Sequence, residues 1–364
     1  MDNQINTDIV SGICRFKNIG GITCYMNSVL HILQMVPIFA DYIFTGQFAG
    51  TLKDKLKNDK TLIKNTVSYE LYKLFKISMT HDDHAITPTS FKKIIGDKDD
   101  TWNEYNHQDS QQFLNFLIST LEDEIGVKVD FVPGSSISNE STNISQLLAQ
   151  MAWENHQGKE YSPLKDIFNG MTTIKNRCSC CSNVSNNFEP FNTLQVSMPT
   201  TEMFREFTLE ECLDHMIKEE QFDNNNLYNC ELCGFKNRAF TTRLLWRTPK
   251  VLIIHIKRFL VDNFGNRTKK LINNVKYPIY DLDISKYICD DSDYKNKSKY
   301  NLIGINLHQE FSNFGINAGH YTSVVKNRYD NNWYLFNDGN EPRKASIRED
   351  LQNRNAYMLF YYRE

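Results

Sequence analysis

Two sets of cysteines have the spacing to do chemistry. The first is a single residue, Cys24. It stands at the start of a stretch in which Met26, Val29, Leu30, Leu33 and Val36 recur at helical spacing. Thr23 precedes it as a candidate cap, and Gly20-Gly21 allow a tight approach. A thiol in the first turn of a helix meets free N–H groups and the positive end of the helix dipole, which favour thiolate. Free thiols titrate at about 8.5, so a nucleophile needs such help and a nearby imidazole at neutral pH. On local features alone, Cys24 also suits a small buried core position. The second set is Cys178-x-x-Cys181 with Cys230-x-x-Cys233. Two such knuckles supply four thiolates, the requirement of a closed structural zinc site. Cys180 lies inside the first knuckle, but the spacing favours Cys178 and Cys181. A closed set with no open position predicts one structural Zn2+ and no catalytic cofactor.

The elements that must position these residues divide the chain. Helical periodicity dominates early: the stretch from Cys24 is followed by one from Asp109, with Phe113, Phe116, Leu117, Leu121 and Ile125 as its stripe and Asp109 with Gln112 as a capping-box-like start. Residues 133–145 read as a loop, and beyond Cys178 the pattern turns to short strands. Val251 to Phe259 is a run rich in β-branched residues that predicts a buried strand. Residues 286–299 read as a polar inserted loop. Tyr321–Lys326, Trp333–Phe336 and Ala356–Tyr362 read as strands, with Asn337-Asp338-Gly339 as a turn. Helices first and strands later predict an α+β fold.

Composition excludes several classes. The 364 residues are 40% hydrophobic and 23% charged, enough for a large core. A net charge of -3 gives no field for nucleic acid or an anionic membrane. No segment approaches the roughly 20 apolar residues of a membrane span, and the N-terminus has no signal-peptide pattern. Nine cysteines, an odd number, argue against a disulfide framework and for thiols in a reducing compartment.

Residues 16–34, FKNIGGITCYMNSVLHILQ, closely resemble the cysteine box of the ubiquitin-specific proteases, with Thr23-Cys24-Tyr25-Met26-Asn27-Ser28 matching without a gap. Residues 319–326, GHYTSVVK, and 333–339, WYLFNDG, resemble the same family's histidine box. His107 to Leu114 resembles its QQDAxEFL box, and Pro249 to Phe259 its strand motif, in which His255 reads as a core histidine. The resemblance runs from about Gly12 to Tyr362, with the motifs in family order.

The resemblance implies a deubiquitinating thiol isopeptidase that cuts after the C-terminal glycine of ubiquitin through a thioester. Cys24 is then the nucleophile, His320 the general base, and Asn337 the residue that orients the imidazole, with Asp338 sharing that role. The family's oxyanion asparagine lies five positions before the cysteine. Here position 19 is Ile and Asn18 lies six before, so the Gly20-Gly21 pair must bulge to return Asn18 to place. Gln108 and Asp109 are implied to hold the arginine-bearing tail of ubiquitin. Glu310 stands where the family often has Gly. The implied fold is papain-like, with a helical thumb (about 12–125), zinc-bearing β fingers (about 165–260), and a β palm made of the remainder. Residues 1–11 form a tail, and 12–364 a single catalytic domain. Expected partners are ubiquitin and ubiquitinated proteins, with no nucleic acid, no membrane and a monomeric state, in the cytoplasm and/or nucleus. The competing expectations are a catalytically weak or inactive ubiquitin-binding scaffold, or the same hydrolase acting on a ubiquitin-like modifier.

Overall fold

The computed structural model describes residues 12–80, 85–104, 106–128, 144–158, 160–200, 202, 205–222, 226–262, 264, 267–310 and 319–364. The expected tail 1–11 and positions 133–143 of the expected loop lie outside the described residues. The chain forms two compact units, Met1–Ile125 with Ile303–Asn355, and Gly126–Leu302 with Ala356–Glu364.

In the first unit, the helix Cys24–Leu33 is buried on every side. The apolar stripe read from the sequence is one part of this, because Asn27, Ser28 and His31 are buried as well. Burying polar groups requires partners. Ser28 Oγ accepts from Asn306 Nδ2 at 2.8 Å, and Asn306 Oδ1 accepts from Ser110 Oγ at 2.9 Å. The helix Ser110–Ile125 starts where expected, and Asp109 Oδ1 accepts from the backbone N–H of Gln111 (2.8 Å) and Gln112 (3.2 Å). Its Phe113 meets Tyr25 edge-on, with ring centroids 5.4 Å apart. The strands of this unit run antiparallel in the order Arg343–Lys344, Trp333–Phe336, Gly319–Lys326 and the part of Lys299–Glu310 from residue 303 onward. The Cys24–Leu33 helix packs on Gly319–Lys326. The helix also lies close to the neighbouring strand Lys299–Glu310, where a Cβ on Gly304 would stand 2.5 Å from Ile32 Cγ2.

In the second unit, Gly170–Cys178 pairs antiparallel with Val184–Phe191 on one side and Ala239–Arg247 on the other. A separate group places Val251–Lys257 between Ala356–Tyr362, antiparallel, and Leu194–Ser197, parallel. Val251 to Ile256 are all buried, as a run rich in β-branched residues predicts.

Two expectations need correction here. The strand expected from Val251 to Phe259 stops at Lys257 and resumes as Phe259–Val261. Between them Arg258 turns inward, 1% exposed, and donates to the carbonyls of Ala356, Leu271 and Asn273. The polar stretch 286–299 is not a free loop throughout. Tyr287, Ile288 and Cys289 are buried, and Cys289 N–H donates to Leu245 O at 2.8 Å. Three apolar side chains within a polar run are too few for a periodicity, yet enough to anchor a segment.

Candidate active site and metal centre

The first unit gathers Cys24, Asn18, His320, Asn337 and Asp338. Thr23 holds the cap position before Cys24, but its hydroxyl does not cap the helix. Instead Thr23 Oγ1 accepts from Ile19 N–H at 2.8 Å and donates to Asn18 Oδ1 at 3.2 Å. The backbone carbonyl of Thr23 accepts from Met26 and Asn27 N–H, so the first helical turn closes without the hydroxyl. Ile19–Gly21 forms one tight turn, with Gly20 and Gly21 at φ of 64° and 76°. Only glycine takes such angles without strain. The turn brings Asn18 Oδ1 to 2.7 Å from Thr23 N and Asn18 Nδ2 to 2.9 Å from Asp338 Oδ2.

Cys24 is 2% exposed. Burial pushes its thiol up to about 11; hydrogen bonds from the backbone of Tyr321, Tyr25 and Cys24 itself pull it down, and the nearby Asp338 charge pushes it further up. The sequence favoured a lowered value from the helix N-terminus. Those N–H groups are present, but desolvation of the thiolate outweighs them. A cysteine so raised would act as a nucleophile only by giving its proton to a base as it attacks.

Such a base is oriented nearby. His320 Nε2 lies 2.7 Å from Asn337 Oδ1, a carbonyl oxygen that can only accept. Nε2 therefore carries the proton, and Nδ1 is the nitrogen left to take one. Asp338 Oδ2 stands 3.8 Å from His320 Nε2. Gly319, just before His320, has a structural cause: a Cβ there would overlap the His308 ring and lie 2.8 Å from Gln309 O. Asn337 and Asp338 sit where Trp333–Phe336 ends in a turn. Asn340 N–H donates to Asn337 O at 3.0 Å, and Asp338 takes the left-handed φ of 48°. The triplet Asn337-Asp338-Gly339 is thus a turn as well as part of the site.

Some residues of this cluster escaped the sequence. Asn27 Nδ2 donates to Asp338 Oδ1 at 2.8 Å, and to the carbonyls of Phe16 and Lys17 at 3.2 and 3.3 Å. Its sequence signals were its place in the matched stretch Thr23 to Ser28 and its polar side chain three positions after Cys24, neither of which gave it a role. His31 stacks between Phe16 and Phe336, with centroids at 4.6 and 4.3 Å, and burial lowers it to about 3. Phe336 is the neighbour of Asn337, so this neutral ring braces the strand that carries it.

Gln108 and Asp109 stand in the same unit. Gln108 Nε2 donates to Thr101 O at 3.0 Å, and Asp109 is buried and caps its helix. His255 lies in the other unit, edge-on to Tyr357 at 4.6 Å.

The four knuckle cysteines meet at the end of the long ladder in the second unit. All four Sγ atoms lie within 4.8 Å of one another, with Cys178–Cys233 at 3.9 Å and Cys181–Cys230 at 3.6 Å. Four sulfurs around a tetrahedral zinc with bonds of about 2.3 Å stand about 3.8 Å apart, so this donor set fits the metal. The two knuckles are built alike: Ser182 N–H donates to Cys178 O at 3.0 Å, and Gly234 N–H to Cys230 O at 2.9 Å. Ser182 and Gly234 both take left-handed φ, 57° and 74°. Cys180 is exposed and outside the cluster. No disulfide links any of the nine cysteines.

A cysteine at a helix start, with a histidine whose far nitrogen is held by an amide oxygen, is the arrangement of a papain-like cysteine hydrolase. The model of the ubiquitin carboxyl-terminal hydrolase family matches residues 14–361, and the chain belongs to that family. It is 30% identical over 360 residues to ubiquitin carboxyl-terminal hydrolase Usp2 of Drosophila melanogaster, covering 97% of this chain and 35% of that protein. With ubiquitin carboxyl-terminal hydrolase 2 of Bos taurus it shares 28% over 361 residues, covering 99% of this chain and 56% of that protein. The chain thus spans between about a third and just over half of these two relatives. Among solved structures, it is similar to the SAGA DUB module of Ubp8, Sgf11, Sus1 and Sgf73 bound to monoubiquitin. The TM-score is 0.71 at 22% identity, covering 98% of this chain and 70% of that one. The likeness fixes the fold as the α+β, papain-like fold of such domains, and no helix among the described residues is long and apolar enough to cross a membrane.

Proposed function

We propose that this chain is a cysteine-type deubiquitinase, hydrolysing the bond after the C-terminal glycine of ubiquitin. The observation that carries the reading is the 2.7 Å contact between His320 Nε2 and Asn337 Oδ1, made in the same unit as the buried Cys24. It leaves Nδ1 as the proton acceptor. The Cys24 sulfur attacks the glycine carbonyl carbon as its proton passes to His320. The imidazolium then protonates the departing amine, leaving a thioester. His320 next activates a water, which adds to the thioester and releases Cys24. Asn337 holds the ring, and Asp338, 3.8 Å away, adds the negative charge an amide lacks. Asn18 serves the oxyanion through its amide nitrogen, one N–H of which is already given to Asp338. Gln108 and Asp109 bind the substrate tail, Asp109 while capping its helix.

Cys178, Cys181, Cys230 and Cys233 would hold one structural Zn2+, which joins two strand pairs far apart in sequence. Ubiquitin and ubiquitinated proteins are the partners. We place the chain in a reducing compartment, cytoplasm or nucleus, as a monomer needing no catalytic cofactor.

The test is ubiquitin carrying a C-terminal thiol-reactive warhead, with adducts weighed by mass spectrometry. The expected result is an adduct with wild type, none with Cys24→Ala, and a greatly slowed one with His320→Ala. No adduct under reducing conditions with zinc present overturns the reading. A matching probe built on a ubiquitin-like modifier then separates a different substrate from a non-catalytic ubiquitin-binding scaffold.

A further inference from the structure

The Asp338 carboxylate is held on both oxygens by amides from before and within the nucleophile helix. Oδ2 accepts from Asn18 Nδ2 at 2.9 Å and Oδ1 from Asn27 Nδ2 at 2.8 Å. Asn27 is one turn beyond Cys24, so the helix that carries the nucleophile also grips the carboxylate beside the base. Its other N–H reaches Phe16 O and Lys17 O, at 3.2 and 3.3 Å. One side chain therefore ties together three parts of the site: the helix, the segment leading to Asn18, and the turn bearing Asn337 and Asp338.

The geometry points to Asn27 as a positioning residue for the reaction, acting through Asp338. This rests on the hydrolase reading above. Asp338 sits in a left-handed turn at φ of 48°, where an aspartate is held at some cost. It is also mostly buried, which disfavours its charge, while the two amides favour it. On balance burial raises the carboxyl above its usual range, and the two amides oppose that rise and hold the group 3.8 Å from His320. The hydrogen bonds of the Asn27 amide nitrogen go to Asp338 and to two backbone carbonyls, not to the sulfur or the imidazole. Its part is to keep the charge where an imidazolium forms.

A thermodynamic cycle tests this. Asn27→Ser, Asp338→Ala and the double variant are compared with wild type in hydrolysis of a fluorogenic ubiquitin C-terminal amide. The alkylation rate of Cys24 by iodoacetamide at neutral pH is measured in parallel. We expect Asn27→Ser to lower kcat about tenfold with KM held within about twofold, and to slow alkylation by a similar factor. In the Asp338→Ala background the same substitution should add less than about twofold to either loss. Additive losses, a change confined to KM, or no change in either rate overturns the inference. If Asn27→Ser fails to fold by thermal melt, Asn27→Thr enters the same cycle. Alkylation needs no ubiquitin, so wild type that ignores the ubiquitin amide would sink the hydrolase reading while the cycle on Cys24 still decides the role of Asn27.

Discussion

The two cysteine sites of this molecule are built on opposite principles. At the metal centre, four thiols stand within 4.8 Å of one another, each knuckle closed by a residue in left-handed conformation. At the active site one thiol stands alone, 2% exposed and pushed up to about 11 by burial. The first could hold a metal ion, and a bound cation would then replace the protons of its sulfurs. The second holds its proton until a base takes it. Identical side chains are thus set in one place as a ligand cluster and in the other as a lone buried thiol, and the difference lies in what surrounds the sulfur.

The largest effect should separate the two at once. Cys24→Ala should cut ubiquitin-amide hydrolysis by at least about 10⁴-fold. It should leave bound zinc, read by elemental mass spectrometry, at one per chain. Cys181→Ser with Cys233→Ser should do the reverse to the metal: zinc content falls to none and the melting midpoint drops by more than about 10 °C. Zinc lost from Cys24→Ala would break the contrast.

Next in size is the orienting amide. Asn337→Ala should lower kcat about 10²-fold or more, with the melt within about 2 °C of wild type, because the His320 tautomer is then unheld. Gly319→Ala should show the complementary pattern. Its Cβ collides with His308, so destabilisation of about 1–3 kcal/mol by urea titration is expected.

The smallest effects are in pH dependence. Folded Cys24 titrates near 11, against about 8.5 for a free thiol, so the unfolded chain loses its proton first. Its contribution to stability is then full below about 8.5 and declines from there toward 11. His31 shows the opposite edge. Folded it is lowered to about 3, so as pH falls through about 6.5 the unfolded chain gains a proton the folded one refuses. Stability should fall by up to about 1.4 kcal/mol per pH unit in that window, and His31→Gln should flatten the slope in urea melts run across it. An unchanged slope would mean the ring is not neutral in the fold.

Much of this was legible from residues that are close in sequence. The helices from Cys24 and Ser110, the strands Trp333–Phe336 and Ala356–Tyr362, and the paired knuckles are periodic or evenly spaced, and local sterics and burial suffice to form them. The strand break at Arg258 and the buried anchor at Tyr287 to Cys289 were not legible, since each is one or a few side chains turned inward by neighbours from elsewhere in the chain.

The sequence by itself determined which residues have the chemistry: a thiol at a helix start, a Gly-His strand, an Asn-Asp turn and four spaced cysteines. Tertiary structure alone decided their states. Burial, a sum over atoms from many segments, raised Cys24 where the helix end favoured lowering it. Contact across 311 positions joined Asn27 to Asp338, and contact between Asn18 and Asp338 spans 320. Hydrogen bonds and desolvation act over a few ångströms in space, and spacing along the chain does not contain those distances.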